Sequence, residues 1–186
     1  VEKLAGENRI ATADAINAKL TSPAGTFVVG FDAIPDALSV ASYAAKNKFA
    51  IVLTNGDGTV DSSKLVGATK YIVGGTAKVA DIDGVTRIAG DNRYETNNAV
   101  ASTLSFSYDR VYVANGITCV DALAVAPLAA KYNAFVALAS GSDVAASATV
   151  NGKLSASSKV IAVGGTASVS DAVKGKVTYA TSAFSV

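Results

Sequence analysis

The chain has 186 residues, half of them hydrophobic and 17% charged, with 16 basic against 15 acidic side chains and no His, Met or Trp. This composition fits a packed globular chain of one large or two small domains and excludes a disordered charged tail. A net charge of +1 gives no broad basic field for nucleic acid, and the lack of His removes Ser-His-Asp and Cys-His catalysis and His-ligated zinc.

Along the chain the first helix is expected over Thr12 to Leu20, followed by a strand at Thr26 to Gly30 and a helix at Asp36 to Lys46. Strands at Ala50 to Thr54 and Lys70 to Gly74 flank a helix candidate at Ser62 to Gly67, and a shorter helical stretch is expected near Val79. Further strands are expected at Arg110 to Ala114, Ala134 to Ala139 and Val160 to Gly164. Apolar runs of strand length alternating with Ala-rich helical stretches are what a parallel sheet covered on both faces requires. Cys119, between Ile117 and Val120, has no partner for an internal disulfide and is expected to be buried and inert. No leader pattern and no apolar run of about 18 residues is present, so no membrane span is expected.

The chain repeats itself. Gly6-Glu7-Asn8-Arg9-Ile10-Ala11-Thr12 aligns with Gly90-Asp91-Asn92-Arg93-Tyr94-Glu95-Thr96. Pro35-Asp36-Ala37-Leu38 aligns with Val120-Asp121-Ala122-Leu123, and Val73-Gly74-Gly75-Thr76 with Val163-Gly164-Gly165-Thr166. Three matches in one order define two tandem α/β modules, residues 1–87 and 88–186, the second carrying a C-terminal tail. Each is expected to be a small, mainly parallel sheet flanked by helices.

The repeated residues supply the candidate site. Arg9 and Arg93 each follow a Gly-acid-Asn turn and precede Thr12 or Thr96, placed to open a helix. Such an Arg either receives a phosphate or carboxylate at the helix N-terminus or bridges a neighbouring acid and pins the module. Asp36 and Asp121 follow strands and open helices, where a carboxylate caps free N–H groups or pairs with the module's Arg. The Gly-Gly-Thr segments fit tight strand-to-helix turns or a phosphate nest. Neither copy has the glycine spacing of a dinucleotide or phosphate-binding loop, and no acid/base carboxylate pair or calcium loop stands out. No cofactor, metal or catalytic residue is expected.

These motifs, above all Gly90-Asp91-Asn92-Arg93-Tyr94-Glu95-Thr96, Val120-Asp121-Ala122-Leu123-Ala124 and Val163-Gly164-Gly165-Thr166, resemble the type 2 cell-wall-binding repeat of Gram-positive surface proteins. The resemblance implies Rossmann-like modules, commonly three about a pseudo-threefold axis. It also implies a secreted protein held non-covalently at the cell wall by an anionic, phosphate-containing polysaccharide. The family's Asp-Arg-Tyr-x-Thr motif keeps Arg93, Tyr94 and Thr96 in the second copy and Arg9 and Thr12 in the first. Its Ile-Leu-Leu strand, implicated in polymer attachment, corresponds to Ile51, Val52 and Leu53, whose plain reading is buried strand. With two modules here, a third is supplied by a partner chain, by a homo-oligomer, or not at all. Polymer binding further requires Arg9, Arg93 and others such as Lys64, Lys131 and Lys153 to cluster. The alternative function is a surface-layer or assembly protein whose modules pack against other chains; a nucleotide-dependent enzyme lacks the residues it needs.

Overall fold

The computed structural model describes residues 1–179. Two parallel sheets, each flanked by helices, succeed one another along the chain. The first has the order β2-β1-β3-β4, from β1 (Gly25–Val29), β2 (Phe49–Leu53), β3 (Thr69–Val73) and β4 (Thr86–Ile88). The second has the order β6-β5-β7, from β5 (Ser107–Asn115), β6 (Ala134–Ala139) and β7 (Lys159–Val163). All strand pairs are parallel. Strands β5, β6 and β7 take the places of β1, β2 and β3, so the sequence repeat is a structural one. β1 and β6 are buried along their whole length, which is why they read as continuous apolar runs.

The helices differ from expectation at their starts. α1 (Arg9–Asn17) and α3 (Arg93–Thr103) begin three residues before the repeated Thr. The reason is a better cap: Asn8 Oδ1 accepts from the N–H groups of Ile10 and Ala11, and Asn92 Oδ1 from those of Tyr94 and Glu95. The hydroxyls of Thr12 and Thr96 instead accept from Gly6 and Gly90 N–H, fastening the preceding turn. The helix expected at Ser62 to Gly67 is one 3-10 turn, Ser62–Lys64, because Gly67 takes a φ of +75° against the backbone of Ala24 and Gly25. β4 was not foreseen. It runs across the expected boundary after residue 87 and pairs with β3. Its counterpart in the tail begins at Thr178 and Tyr179, which form no strand, and the remainder, from Ala180, lies outside the described residues.

α2 (Ile34–Asn47) joins the modules. It packs on β1 and β2 of its own sheet and on α3, α4 (Val120–Lys131) and β6 of the other. Leu38 enters a core with Tyr112, Ala114, Val136 and Leu138. Ser42 Oγ donates to Ala134 O at 2.9 Å, and the Tyr43 ring meets Phe106 edge-on at 5.4 Å. One hydrophobic cluster therefore runs from Phe27 through Phe106 to Phe135. The repeat makes an asymmetry visible. Leu38 is 6% exposed, whereas the equivalent Leu123 on α4 is 62% exposed and Leu128, equivalent to Tyr43, is 47% exposed.

Candidate functional site

Both repeated arginines do the same local work. Arg9 Nη1 donates to Phe31 O at 3.3 Å, and Arg93 Nη1 to Gly116 O at 2.9 Å. Each thereby clips the loop that leaves the central strand of its own module, and each remains exposed. Arg9 also lies over the Phe31 ring. Tyr94 is half-buried and packs over Gly116, where a Cβ would meet its ring at 2.7 Å. Ile10 takes its place in the first module.

Asp36 does not cap α2. The N-cap position is Ala33, without a side-chain bond, and Pro35 occupies the first turn. The Asp36 carboxylate lies instead against Gly74, at the end of β3, and faces Arg93 of the other module. Capping, or pairing with the module's own Arg, was the expectation; neither is seen, and the cation whose charge Asp36 feels is Arg93 of the other module. Burial pushes Asp36 up to about 6, with Arg93 opposing the shift. Asp121 repeats the contact with Gly164, and Cys119, not Asp121, is the N-cap residue of α4. Cys119 is buried, its thiol donating to Gly116 O and pushed up by that burial.

The result is a polar crevice of about 380 Å³ between the modules, lined by Asp32, Asp36, Lys78, Asp91, Arg93 and Thr96 among others. Lys78 pairs with Asp32 at 2.7 Å and holds that carboxyl below its usual range by hydrogen bonding. Three carboxylates against two cations give this crevice no positive excess for a polyanion. Lys64 and Lys153, expected to join the arginines, lie elsewhere. Lys153 Nζ donates to Ala101 O in the last turn of α3, eight residues or about 12 Å of helix from Arg93, while Lys64 pairs with Asp14 on α1.

Val52 is buried, and Ile51 and Leu53 are half-buried. Ile51 and Leu53 line an open apolar groove with Ala13, Ile16, Leu20 and Ala41. Their counterparts Val136 and Leu138 are 2% and 1% exposed because α2 covers them. Sequence reasoning missed the side chains that make this junction, Ser39, Ser42 and Asn97, since single polar residues inside helices carry no motif. It also missed Arg87, which donates to Gly74 O, Val79 O and Asp81 and so holds the glycine turn.

Asp36 yields a pH prediction. A carboxyl whose folded value is raised favours the fold below its unfolded value and loses that contribution as pH rises through about 6. Between about pH 4 and pH 7 the wild type is therefore expected to lose about 1–2 kcal/mol relative to Asp36→Asn, after discounting for partial exposure. Urea midpoints of both proteins across that range check this; parallel pH profiles would refute it.

Two parallel α/β modules, fused through one helix and lacking any cluster of metal-ligating side chains among the described residues, define a duplicated scaffold whose distinctive features are surfaces and crevices. The chain belongs to the cell wall binding domain 2 (CWB2) family, whose profile matches residues 3–82 and 87–174. It is 31% identical over 159 residues to N-acetylmuramoyl-L-alanine amidase LytC of Bacillus subtilis, covering 80% of this chain and 32% of LytC. It is 29% identical to the amidase enhancer of the same organism, covering 95% of this chain and 26% of that protein. The chain thus spans a third or less of these relatives. Among solved structures, Cwp8 from Clostridium difficile superposes with a TM-score of 0.83 at 28% identity, over 95% of this chain and 33% of that one. Cwp6 shares the fold at a TM-score of 0.76 and 22% identity, over 94% of this chain and 30% of its own.

Proposed function

We propose that the chain is a non-catalytic anchor that retains a secreted surface protein on the cell wall by binding an anionic, phosphate-containing polysaccharide. The observation that carries this reading is the family match, which covers both repeats. The relatives support it: a similar segment occupies a minor part of an amidase, an amidase enhancer and Cwp8, as expected of a shared attachment unit rather than of the activity. The unit comprises the two modules dividing near residue 88. Arg9, Arg93, Tyr94, Thr12 and Thr96 act in it as structural clips, and Ile51 and Leu53 as a docking face.

A partner module completes the unit. Helix α2 of the first module covers Val136 and Leu138 of the second, yet the same face of α4 and the groove at Ile51 and Leu53 stand open. A third module, from a second copy or another chain, fits both faces by repeating the existing junction. This observation also supports the second reading, an assembly protein of the surface layer.

The test is co-sedimentation with Gram-positive cell walls before and after acid extraction of their anionic polymers, across a salt series, with light scattering of the chain alone. Binding lost on extraction and weakened by salt is expected. Absence of binding to intact walls, with mass rising with concentration, would replace the anchor by the assembly reading.

A further inference from the structure

We infer that the polyanion is held on the face formed by the amino ends of the strands of both sheets, rather than in the crevices at their carboxyl ends; this rests on the wall-polymer reading above. The two modules point the same way. α2 starts with Asp36 facing Arg93 at the carboxyl ends and finishes with Asn47 beside Asn133, the residue that precedes β6. The starts of β2 and β6 therefore lie on one side of the molecule, and the two amino ends form a single face.

Cations gather on that face. Lys46 is in the last turn of α2 and Lys48 immediately precedes β2; Lys70 is the second residue of β3. From the other module come Lys131, the last residue of α4, and Arg110 on β5, which is in register with Lys159, the first residue of β7. None of the six takes part in an ion pair among the described residues, where the pairs use Lys19, Lys64, Lys78, Arg87 and Lys176. Of the acids nearby, Asp109 is engaged by the Ser107 hydroxyl and Glu2 by Lys19. At the opposite ends of the strands stand Asp32, Asp36, Asp91 and Asp121. Arg9, Arg93 and Lys78 stand at those same ends, Lys78 paired with Asp32, so the carboxyl ends carry mixed charge where the amino ends carry unpaired cations.

Helix dipoles account for only part of this. Lys46 and Lys131 complement helix C-termini, but Lys48, Lys70, Arg110 and Lys159 lie outside helices. Arg110 is also pre-positioned: its guanidinium lies 4.0 Å from the centroid of the Tyr132 ring, which holds the planar fork while leaving it without a carboxylate. A fixed fork with free donors suits bidentate contact to a phosphodiester. Cations dispersed over two modules suit a polymer with repeated charges better than one small anion, because each weak contact adds through avidity.

The test compares the intact chain with a face variant, Lys46→Gln/Lys48→Gln/Lys131→Gln/Lys159→Gln, and a charge-matched control, Arg9→Gln/Lys78→Gln/Lys174→Gln/Lys176→Gln. Each is sedimented with purified sacculi, with acid-stripped sacculi, and with duplex DNA on beads, over a salt series. The face variant is expected to bind intact sacculi about tenfold more weakly with a flattened salt dependence, the control to stay within about twofold. Should the four-fold variant fail to fold by circular dichroism, Lys48→Gln/Lys159→Gln replaces it, with about threefold loss expected. Equal binding by face variant and control would overturn the inference while leaving the wall reading intact. Wild type that ignores intact sacculi would overturn the wall reading itself, and equal retention on DNA would overturn the polysaccharide as occupant.

Discussion

Asn97→Ala is expected to remove about 3–5 kcal/mol of stability, a large part of what a domain of this size has. β6 is an edge strand, so its outward-facing peptide groups need partners from outside the sheet. Asn97, with no exposed surface, supplies them as a neighbouring strand would. Its Nδ2 donates to Val136 O at 3.0 Å and its Oδ1 accepts from Leu138 N at 2.9 Å. The second Nδ2 hydrogen goes to Ser39 Oγ of the first module at 3.0 Å. Alanine leaves Val136 O and Leu138 N unpaired, since Ser39 Oγ keeps its bond to Pro35 O, and opens space beneath α2. Asn17, which donates to Ile51 O at the open edge of β2, is only half-buried, and Asn17→Ala is expected to cost about 1 kcal/mol. Urea denaturation measures both, and a loss below about 1 kcal/mol for Asn97→Ala would show that the edge is satisfied otherwise.

Gly74→Ala is expected to cost about 2–4 kcal/mol, and Gly75→Ala, one residue on, within about 0.5 kcal/mol of nothing. Gly74 has a φ of +109°, and a Cβ there would lie 2.6 Å from Asp36 Oδ2. The turn cannot move aside: Gly74 N–H donates to Ile88 O and Gly74 O accepts from Arg87. Nothing lies within 4 Å of the Cβ position at Gly75. Gly164, with a φ of +102° and Asp121 at 2.5 Å, predicts the same loss in the second module. Thermal midpoints of the three variants decide the matter. The double variant Gly74→Ala/Asp36→Ala should recover part of the loss, since it removes the clash but not the strain. Equal effects at Gly74 and Gly75 would mean that the repeated pair is not set by backbone conformation.

The two predictions separate kinds of information. Gly74 and Gly164 were visible as a repeated pair, because a strand-to-helix turn is local and its conformational demand falls on particular positions. Asn97 left no trace, because its role is defined by an edge strand 39 residues away. The repeated Asn8 and Asn92 were in plain view beside the Arg residues, but the neighbouring Thr competed for the same cap, and only geometry shows which side chain reaches the free N–H groups. Asp36 was rightly placed at the start of a helix after a strand and wrongly given the cap, since its carboxylate turns away to the glycine turn at Gly74, 38 residues along the chain.

By itself the sequence determined the duplication, the alternation of buried parallel strands with helices, and the family, because these depend on periodicity and local order that survive in one dimension. Tertiary structure alone decided that α2 is the joint between modules, that its counterpart α4 stays uncovered, and that six cations scattered along the chain come to the amino ends of the strands. Those properties arise where segments distant in sequence meet, and no local rule specifies which face of a helix finds a neighbour.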